Sequence, residues 1–336
     1  MKIDASLPKD IDVTQIDARA IEAAGYDGLW VEETRHDPFL QVLEALQATE
    51  SVTVGTSIAV AFARTPMTMA GVAYDLARHA RGRFVLGLGS QVRPHVEKRF
   101  SMPWSSPAAR MREFILALRA IWTAWQEESR LDFHGNFYAH TLMTPFFSPP
   151  PHPAGPPPVY LAGVGVRMTE VAGEVADGFF VHPLTTRRYL DEVTLPALAR
   201  GRARAGLTMD GFAVVGPSFV AVGRDERELE AAVTATRRQI AFYASTPVYR
   251  PVLELHGWGG LQSELTRLSK EGRWEEMGGL VDDDMLNTVA LVGEPAKVGA
   301  ELVAKLGDVQ TRTTFYPAYD ADPALISELL AHTRER

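Results

Sequence analysis

The sequence predicts an α/β protein of the (β/α)8 TIM-barrel class, a single domain over residues 1–336 with insertions after strands 4 and 7. Three observations carry that expectation. Short buried-type runs alternate with segments of helical periodicity, and eight such strands can be counted along the chain. Through the first of them the units recur roughly every 25–30 residues, the spacing of consecutive βα units. The stretch from Pro157 to Val181 reads as a complete βαβ unit: a buried strand, a glycine turn, a short helix and a second buried strand. An open doubly wound sheet is the structural alternative.

In order along the chain, Ile3 to Leu7 reads as the first strand, and Val13, Ile16, Ala20, Ile21 and Ala24 follow at helical spacing until Gly25. Gly28-Leu29-Trp30-Val31 is the second strand, Glu32 to Asp37 its polar loop, and Pro38 a favoured first-turn residue of the next helix. Val52 to Val60, rich in β-branched residues, is the third strand, and Pro66 opens a third helix. Phe84 to Gly89 is the fourth, with a long amphipathic helix from Met111 to Trp125 after it. The regular spacing then breaks. Residues 131–158 contain a turn-like Gly135-Asn136, and eight of the 22 prolines fall between Pro145 and Pro158. That density forbids helix and favours an extended arm, with Phe146 and Phe147 expected to pack. Strands five and six lie in the βαβ unit. Tyr189 to Ala203 is helical, Phe212 to Val222 is the seventh strand, and Arg224 to Tyr243 is a helix. A second insertion occupies about 244–295, Pro295 opens a helix, Arg312 to Tyr316 is the eighth strand, and Pro323 to His332 closes the chain's pattern.

Composition excludes several classes. A formal charge of −8, from 34 basic and 42 acidic residues without blocks, offers no footprint for nucleic acid or an anionic membrane. Zero cysteines remove disulfides, thiolate metal sites and a cysteine nucleophile. No apolar run approaches the ~20 residues needed to span a bilayer, and Met1 to Leu7 lacks a signal-peptide core, so a cytoplasmic protein acting on a small molecule is expected. The strand ends carry no His-x-His pair or carboxylate–histidine cluster, so no metal is expected. Gly163-x-Gly165 and Gly87-x-Gly89 lack the third glycine of a dinucleotide fingerprint, and no Gly-x-Ser-x-Gly elbow is present.

In a βα barrel the reactive groups follow the strands. Those positions hold Glu33, Arg35 and His36 after strand two, Ser57 to Arg64 after strand three, Gly89-Ser90-Gln91 after strand four, the glycine turn after strand five, and His182 after strand six. The glycine turn opens a helix, and its backbone N–H groups with Arg167 beside them suit a phosphate at the positive end of the helix dipole; a plain tight connection is the alternative.

Gly25-Tyr26-Asp27-Gly28-Leu29-Trp30, Val54 to Ala59, Gly82 to Ser90, Tyr160 to Gly165 and Ala172-Gly173-Glu174-Val175-Ala176-Asp177-Gly178 stand in an order and spacing that resemble the luciferase-like flavin and deazaflavin oxidoreductases along nearly the whole chain. Glu33 to Phe39 and Ala241 to Pro247 look like the coenzyme F420-dependent branch of that family. The resemblance implies a barrel with the cofactor ring across the strand ends, its phosphate and tail along the loops after strands four and five, and often a homodimer. It implies a cis peptide between Ser57 and Ile58 behind the ring. It places Ser90, Gln91, Ala162, Gly163, Val164, Gly165, Arg167 and Met168 on the phosphate side, although Ser90-Gln91-Val92 departs from the Thr-Gly-Glu-like turn of several deazaflavin relatives. Arg64 and Arg93 are partners for a polyanionic tail or solvated surface charges.

The implied chemistry is hydride transfer between F420 and a small organic substrate, with His36 as acid or base and Glu33 either in that role or orienting His36. His182, ahead of Pro183, reads as structural. Tyr243, Ser245, Tyr249, His256 and Trp258 of the late insertion wall a substrate pocket, cover the barrel or form a subunit contact. The alternatives are an FMN-dependent monooxygenase that consumes oxygen and a non-catalytic cofactor-binding barrel.

Overall fold

The computed structural model describes residues 1–8 and 10–334. Its parallel strands adopt the (β/α)8 barrel fold. The chain resolves into two compact units, one of residues 4–180 and 197–213, the other of residues 1–3, 181–196 and 214 onward.

From β1 (Lys2–Ser6), whose residues from Asp4 on belong to the first unit, that unit continues with α1 (Thr14–Ala23), β2 (Gly28–Val31), α2 (Pro38–Ala48), β3 (Thr53–Thr56), β4 (Ala59–Val60), α3 (Pro66–Ala80), β5 (Phe84–Gly89) and α4 (Pro107–Gln126). Helix starts follow the local chemistry. Asp37 accepts from Phe39 N ahead of Pro38, and Thr65 and Thr68 form a reciprocal capping box ahead of Pro66. The third predicted strand, 52–60, is two strands, β3 and β4, with a cis peptide between Ser57 and Ile58 in the gap.

The Pro-rich segment holds a small antiparallel hairpin, β6 (Phe133–His134) and β7 (Ala139–His140), whose turn is gathered by the Glu113 carboxylate on the N–H groups of Asn136, Phe137 and Tyr138. The expectation that Phe146 and Phe147 pack is incorrect: they are 89% and 71% exposed. A short 3-10 turn, Pro145–Phe147, points both rings outward, and they meet each other edge-on at 5.0 Å instead of a core.

After the arm come β8 (Val159–Ala162), α5 (Val166–Val175) and β9 (Gly178–Phe180). Register runs through Leu29↔Val54, Val54↔Phe84, Val60↔Gly89, Gly87↔Tyr160 and Leu161↔Phe179. Trp30 meets Phe180 edge-on at 5.1 Å and donates its indole N–H to the buried Asp4 carboxylate at 2.9 Å.

Two short helical pieces follow, α6 (Arg187–Tyr189) and α7 (Leu195–Arg204), separated by a wider π turn at Leu190–Thr194. Pro196 has no N–H to give to the carbonyl four residues back, so the regular ladder is relaxed just ahead of it. Within the first unit, α7 crosses α5 at backbone contact. A Cβ on Gly173 would lie 2.2 Å from Leu198 O, and one on Gly201 would lie 2.0 Å from Glu170 O. Arg200 and Arg204 both pair with Glu170 beside this crossing.

The second unit contains β10 (Ala213–Val222), α8 (Glu226–Ala244), α9 (Arg250–Leu255), α10 (Leu261–Lys270), α11 (Trp274–Gly279), α12 (Asp283–Val289), β11 (Ala290–Gly293), α13 (Pro295–Leu306), β12 (Arg312–Tyr316) and α14 (Pro323–His332). The predicted insertion 244–295 is therefore mainly four helices, and its last residues are a strand that the sequence reading missed. β11 pairs with the outer half of β10, Val222↔Gly293, while the inner half pairs with β12, Val215↔Arg312. Ala-Leu-Val-Gly is too short to show a period of its own. Ile240, Leu253, Leu265, Met277 and Leu286 give this unit its own apolar core.

Where β3 leaves the sheet, the buried Thr56 hydroxyl takes over its pairing, donating to Gly87 O at 2.7 Å and accepting from Gly87 N at 2.9 Å. Thr56→Val keeps the shape and leaves both Gly87 groups unpaired, and is expected to cost about 2 kcal/mol in urea unfolding; Thr56→Ser keeps the hydroxyl and should cost about half as much. Equal losses would show that the hydroxyl contributes nothing.

Candidate functional site

Glu33 is the most constrained ionisable residue at the strand ends. It lies just beyond β2 and is only 9% exposed. One carboxylate oxygen accepts from Val60 N and from Arg64 Nη1, both at 2.7 Å, and the Glu33 N–H donates to Ile58 O at 3.3 Å. The loop after β2 is thereby tied to the interrupted third strand. Ser57 N completes the tie by donating to Val31 O at 2.7 Å.

Arg64 extends the link. Its second nitrogen pairs with Asp37 at 2.8 Å, and its guanidinium lies 5.2 Å from the centre of the Phe39 ring. Burial works against its charge, but the hydrogen bonds and charges of Glu33 and Asp37 prevail and hold its pKa above the ordinary arginine value. On the other side of the loop Arg99 donates to Thr34 O at 2.6 Å. His36 thus sits exposed between two anchored residues, with no hydrogen-bond partner of its own among the described residues.

The resemblance placed a cis peptide at Ser57–Ile58, and the structure has it there. The Ile58 side chain lies against the α-carbon of Gly89: a Cβ on that glycine would come within 2.8 Å of it. Beyond Gly89, Ser90 Oγ donates to Gln91 O at 3.1 Å. Gln91 is left-handed, φ 58°, and its side-chain oxygen accepts from Val92 N, so it shapes its own turn.

β5 and β8 run side by side up to Leu88↔Leu161, which brings the Ser90 turn and the glycine turn out of the sheet as neighbours. Gly165 has φ 83° and begins α5 without any side-chain cap. Val164, Val166 and Arg167 are exposed, so the first N–H groups of α5 face an open surface. Met168 is buried, and a Cβ on Gly163 would come within 2.6 Å of its Cγ. Met168 supports the turn from beneath.

The structure therefore gathers Glu33, Ser57 and Ile58 in one place, and Ser90, Gln91 and Ala162 to Met168 along adjoining strand ends. Neither proposed tail cation is uncommitted: Arg64 holds Glu33 and Asp37, and Arg93 pairs with Glu97. The roles of Arg64 and Arg99 as anchors were missed. The signal for Arg64 was a lone cation just past an apolar strand end. Among the described residues, no group of three or more His, Asp or Glu side chains is placed to hold a metal, and no helix is long and apolar enough to cross a membrane.

In the second unit the insertion residues take different parts. Ser245 Oγ donates to Phe242 O, closing the end of α8. His256 shares a 2.8 Å hydrogen bond with Thr186 Oγ1 and stacks on Trp258 at 4.5 Å. Tyr243 and Tyr249 surround His182, edge-on at 4.8 Å and stacked at 4.1 Å.

Residues 10–310 match the luciferase-like monooxygenase family. An uncharacterized protein of Mycobacterium tuberculosis is 56% identical over 293 residues, covering 87% of this chain and 86% of that protein. The 5,10-methylenetetrahydromethanopterin reductase of Archaeoglobus fulgidus is 24% identical over 285 residues, covering 82% and 81%. The structure of the coenzyme F420-dependent tetrahydromethanopterin reductase from Methanopyrus kandleri shares the fold with a TM-score of 0.77 at 20% identity, over 98% of this chain and 96% of that one. With nine-tenths of its length inside the family match and the strand-end motifs in place, the chain is an oxidoreductase of the luciferase-like monooxygenase family.

Proposed function

We propose that the protein is a coenzyme F420-dependent oxidoreductase acting on a small organic substrate. The observation that carries this reading is the uncapped start of α5: three successive exposed or half-buried positions, Val164 to Val166, lead into a helix whose first N–H groups have no side-chain partner. A phosphate suits that place, because the helix dipole and the free donors favour an anion there, and Arg167 adds a flexible cation. Relatives named for F420, a putative coenzyme F420-dependent oxidoreductase of Mycobacterium tuberculosis and the Methanopyrus kandleri reductase, support the deazaflavin over FMN.

Ala162 to Met168 and the Ser90-Gln91 turn hold the phosphate side, and Ser57 and Ile58 back the ring. When bound, the deazaflavin supplies or accepts a hydride. His36 moves the balancing proton at a ring nitrogen, being exposed and unshared on an anchored loop. Of the two roles open to Glu33, the geometry supports orientation. Its carboxylate is occupied by Val60 N–H and Arg64, so it acts by fixing the loop that presents His36.

Titration of the purified protein with oxidised F420 and with FMN tests the cofactor. F420 is expected to bind at least about tenfold more tightly, a difference of ~1.4 kcal/mol; tighter binding of FMN would refute the reading. With a substrate found by screening alcohols and carbonyl compounds, His36→Ala is expected to lower turnover by about 10²–10⁴-fold and to leave F420 affinity unchanged. Unchanged turnover removes His36 from the chemistry. Arg64→Met leaves the Glu33 carboxylate buried without its cation and should cost roughly 3 kcal/mol in urea unfolding; a loss within error of zero would mean that the pair does not anchor the loop.

A further inference from the structure

His182 lies two residues beyond β9 and is half-buried in the second unit. Its Nδ1 accepts the Leu184 N–H at 3.1 Å, so the neutral ring must carry its proton on Nε2. Burial alone pushes its pKa down to about 3, with no charged neighbour contributing. The ring is therefore neutral at any pH near 7, and its Nε2–H has no acceptor among the described residues.

The surroundings are aromatic. Tyr249 stacks on the imidazole and Tyr243 meets it edge-on. Tyr243 Oη and Tyr316 Oη are 2.8 Å apart, and either can donate; with Tyr316 donating, the Tyr243 proton is left for a further acceptor. Burial, and then Tyr243, raise the Tyr249 pKa to about 12, so that phenol also stays neutral. Phe219 closes the group, 4.8 Å from Tyr316 and 6.2 Å from Tyr243 between ring centres.

We propose that His182 Nε2–H and Tyr243 O–H bind the oxygen of an uncharged carbonyl or alcohol group on an apolar small molecule, and that this aromatic cluster selects substrate by that group. Two neutral donors among rings match an oxygen acceptor that carries no formal charge. A carboxylate or phosphate placed there would lose its water without meeting a cation, at a cost of several kcal/mol by general desolvation arguments. Apolar ketones, aldehydes and alcohols therefore fit, and organic acids and sugar phosphates do not. The sequence offered Tyr243 and Tyr249 as possible pocket walls and His182 as structural; that they stand together, with Leu184 N–H setting the tautomer and Tyr316 pairing with Tyr243, is recognisable only in the folded chain.

This inference rests on the oxidoreductase reading for its catalytic meaning, but the binding is measured without cofactor or turnover, so a failure of F420 to bind leaves it intact. Protein labelled with 15N-histidine is titrated with cyclohexanone and, separately, with cyclohexanecarboxylate. Cyclohexanone is expected to shift the His182 Nε2 resonance saturably, the resonance being assigned by its loss in His182→Phe, whereas the carboxylate leaves it in place. Tyr243→Phe, which keeps the ring and its packing, should weaken cyclohexanone about tenfold, the worth of one hydrogen bond. Absence of a saturable shift, equal binding of the carboxylate, or undiminished affinity in Tyr243→Phe would overturn the proposal. Should His182→Phe fail to fold, the Tyr243→Phe titration decides alone.

Discussion

A carboxylate withdrawn from water at the end of a β-strand must be neutralised where it stands, and that requirement governs the strand ends of the first unit. Glu33 meets it with one main-chain donor, Val60 N–H, and one cation, Arg64. Because both partners lie beyond the interruption of the third strand, the loop after β2 and the turn between β3 and β4 become one piece. Arg64 then reaches Asp37, which caps α2, and the link runs from a strand end to a helix start through direct ion pairs. An exposed histidine on such a loop differs from one on a free loop: its backbone is already ordered, so little conformational entropy remains to be lost when a ligand engages it.

The proposed phosphate side rests on a different constraint. α5 must begin close to the end of β8 if its first N–H groups are to face the open surface, and the α5–α7 crossing holds it there at a separation that only glycine allows. Ala172-Gly173-Glu174, which looked like a family signature, has this mechanical reading: Gly173 gives Leu198 O room to approach. Glu170, one turn earlier, accepts two arginines from α7. With α5 fixed from behind and Met168 seated under Gly163, the turn Gly163-Val164-Gly165 presents main chain instead of side chain, as recognition of an anion by backbone requires.

Local signals accounted for much of this. Pro38 and Pro66 start helices because proline loses nothing at a first turn, Gly25 ends one with φ 89°, and the β5 run from Phe84 to Gly89 is buried throughout. Gly135-Asn136 made the turn it was expected to make. The errors share a cause: where side chains point depends on partners distant in sequence. Phe146 and Phe147 are apolar and beside prolines, which suggested packing, yet nothing in the arm's own sequence says which way a 3-10 turn will face them. Ala290 to Gly293 carries too few residues for a period to appear, and becomes a strand only because the outer half of β10 offers it a ladder.

The sequence by itself determined the alternation of strands and helices, hence the barrel, and the positions after each strand at which chemistry belongs; both follow from periodicity and turn residues acting within a few residues of one another. It also marked His36, Ser57, Ser90 and the glycine turn by likeness to a family pattern. Only the tertiary structure decided the contacts. It committed Arg64 to Glu33 and Asp37, set the proton of His182 on Nε2 through the Leu184 N–H, and paired Tyr243 with Tyr316 across 73 residues of chain. Charge pairing, tautomer and burial are properties of groups brought within a few ångströms, and folding alone brings them there.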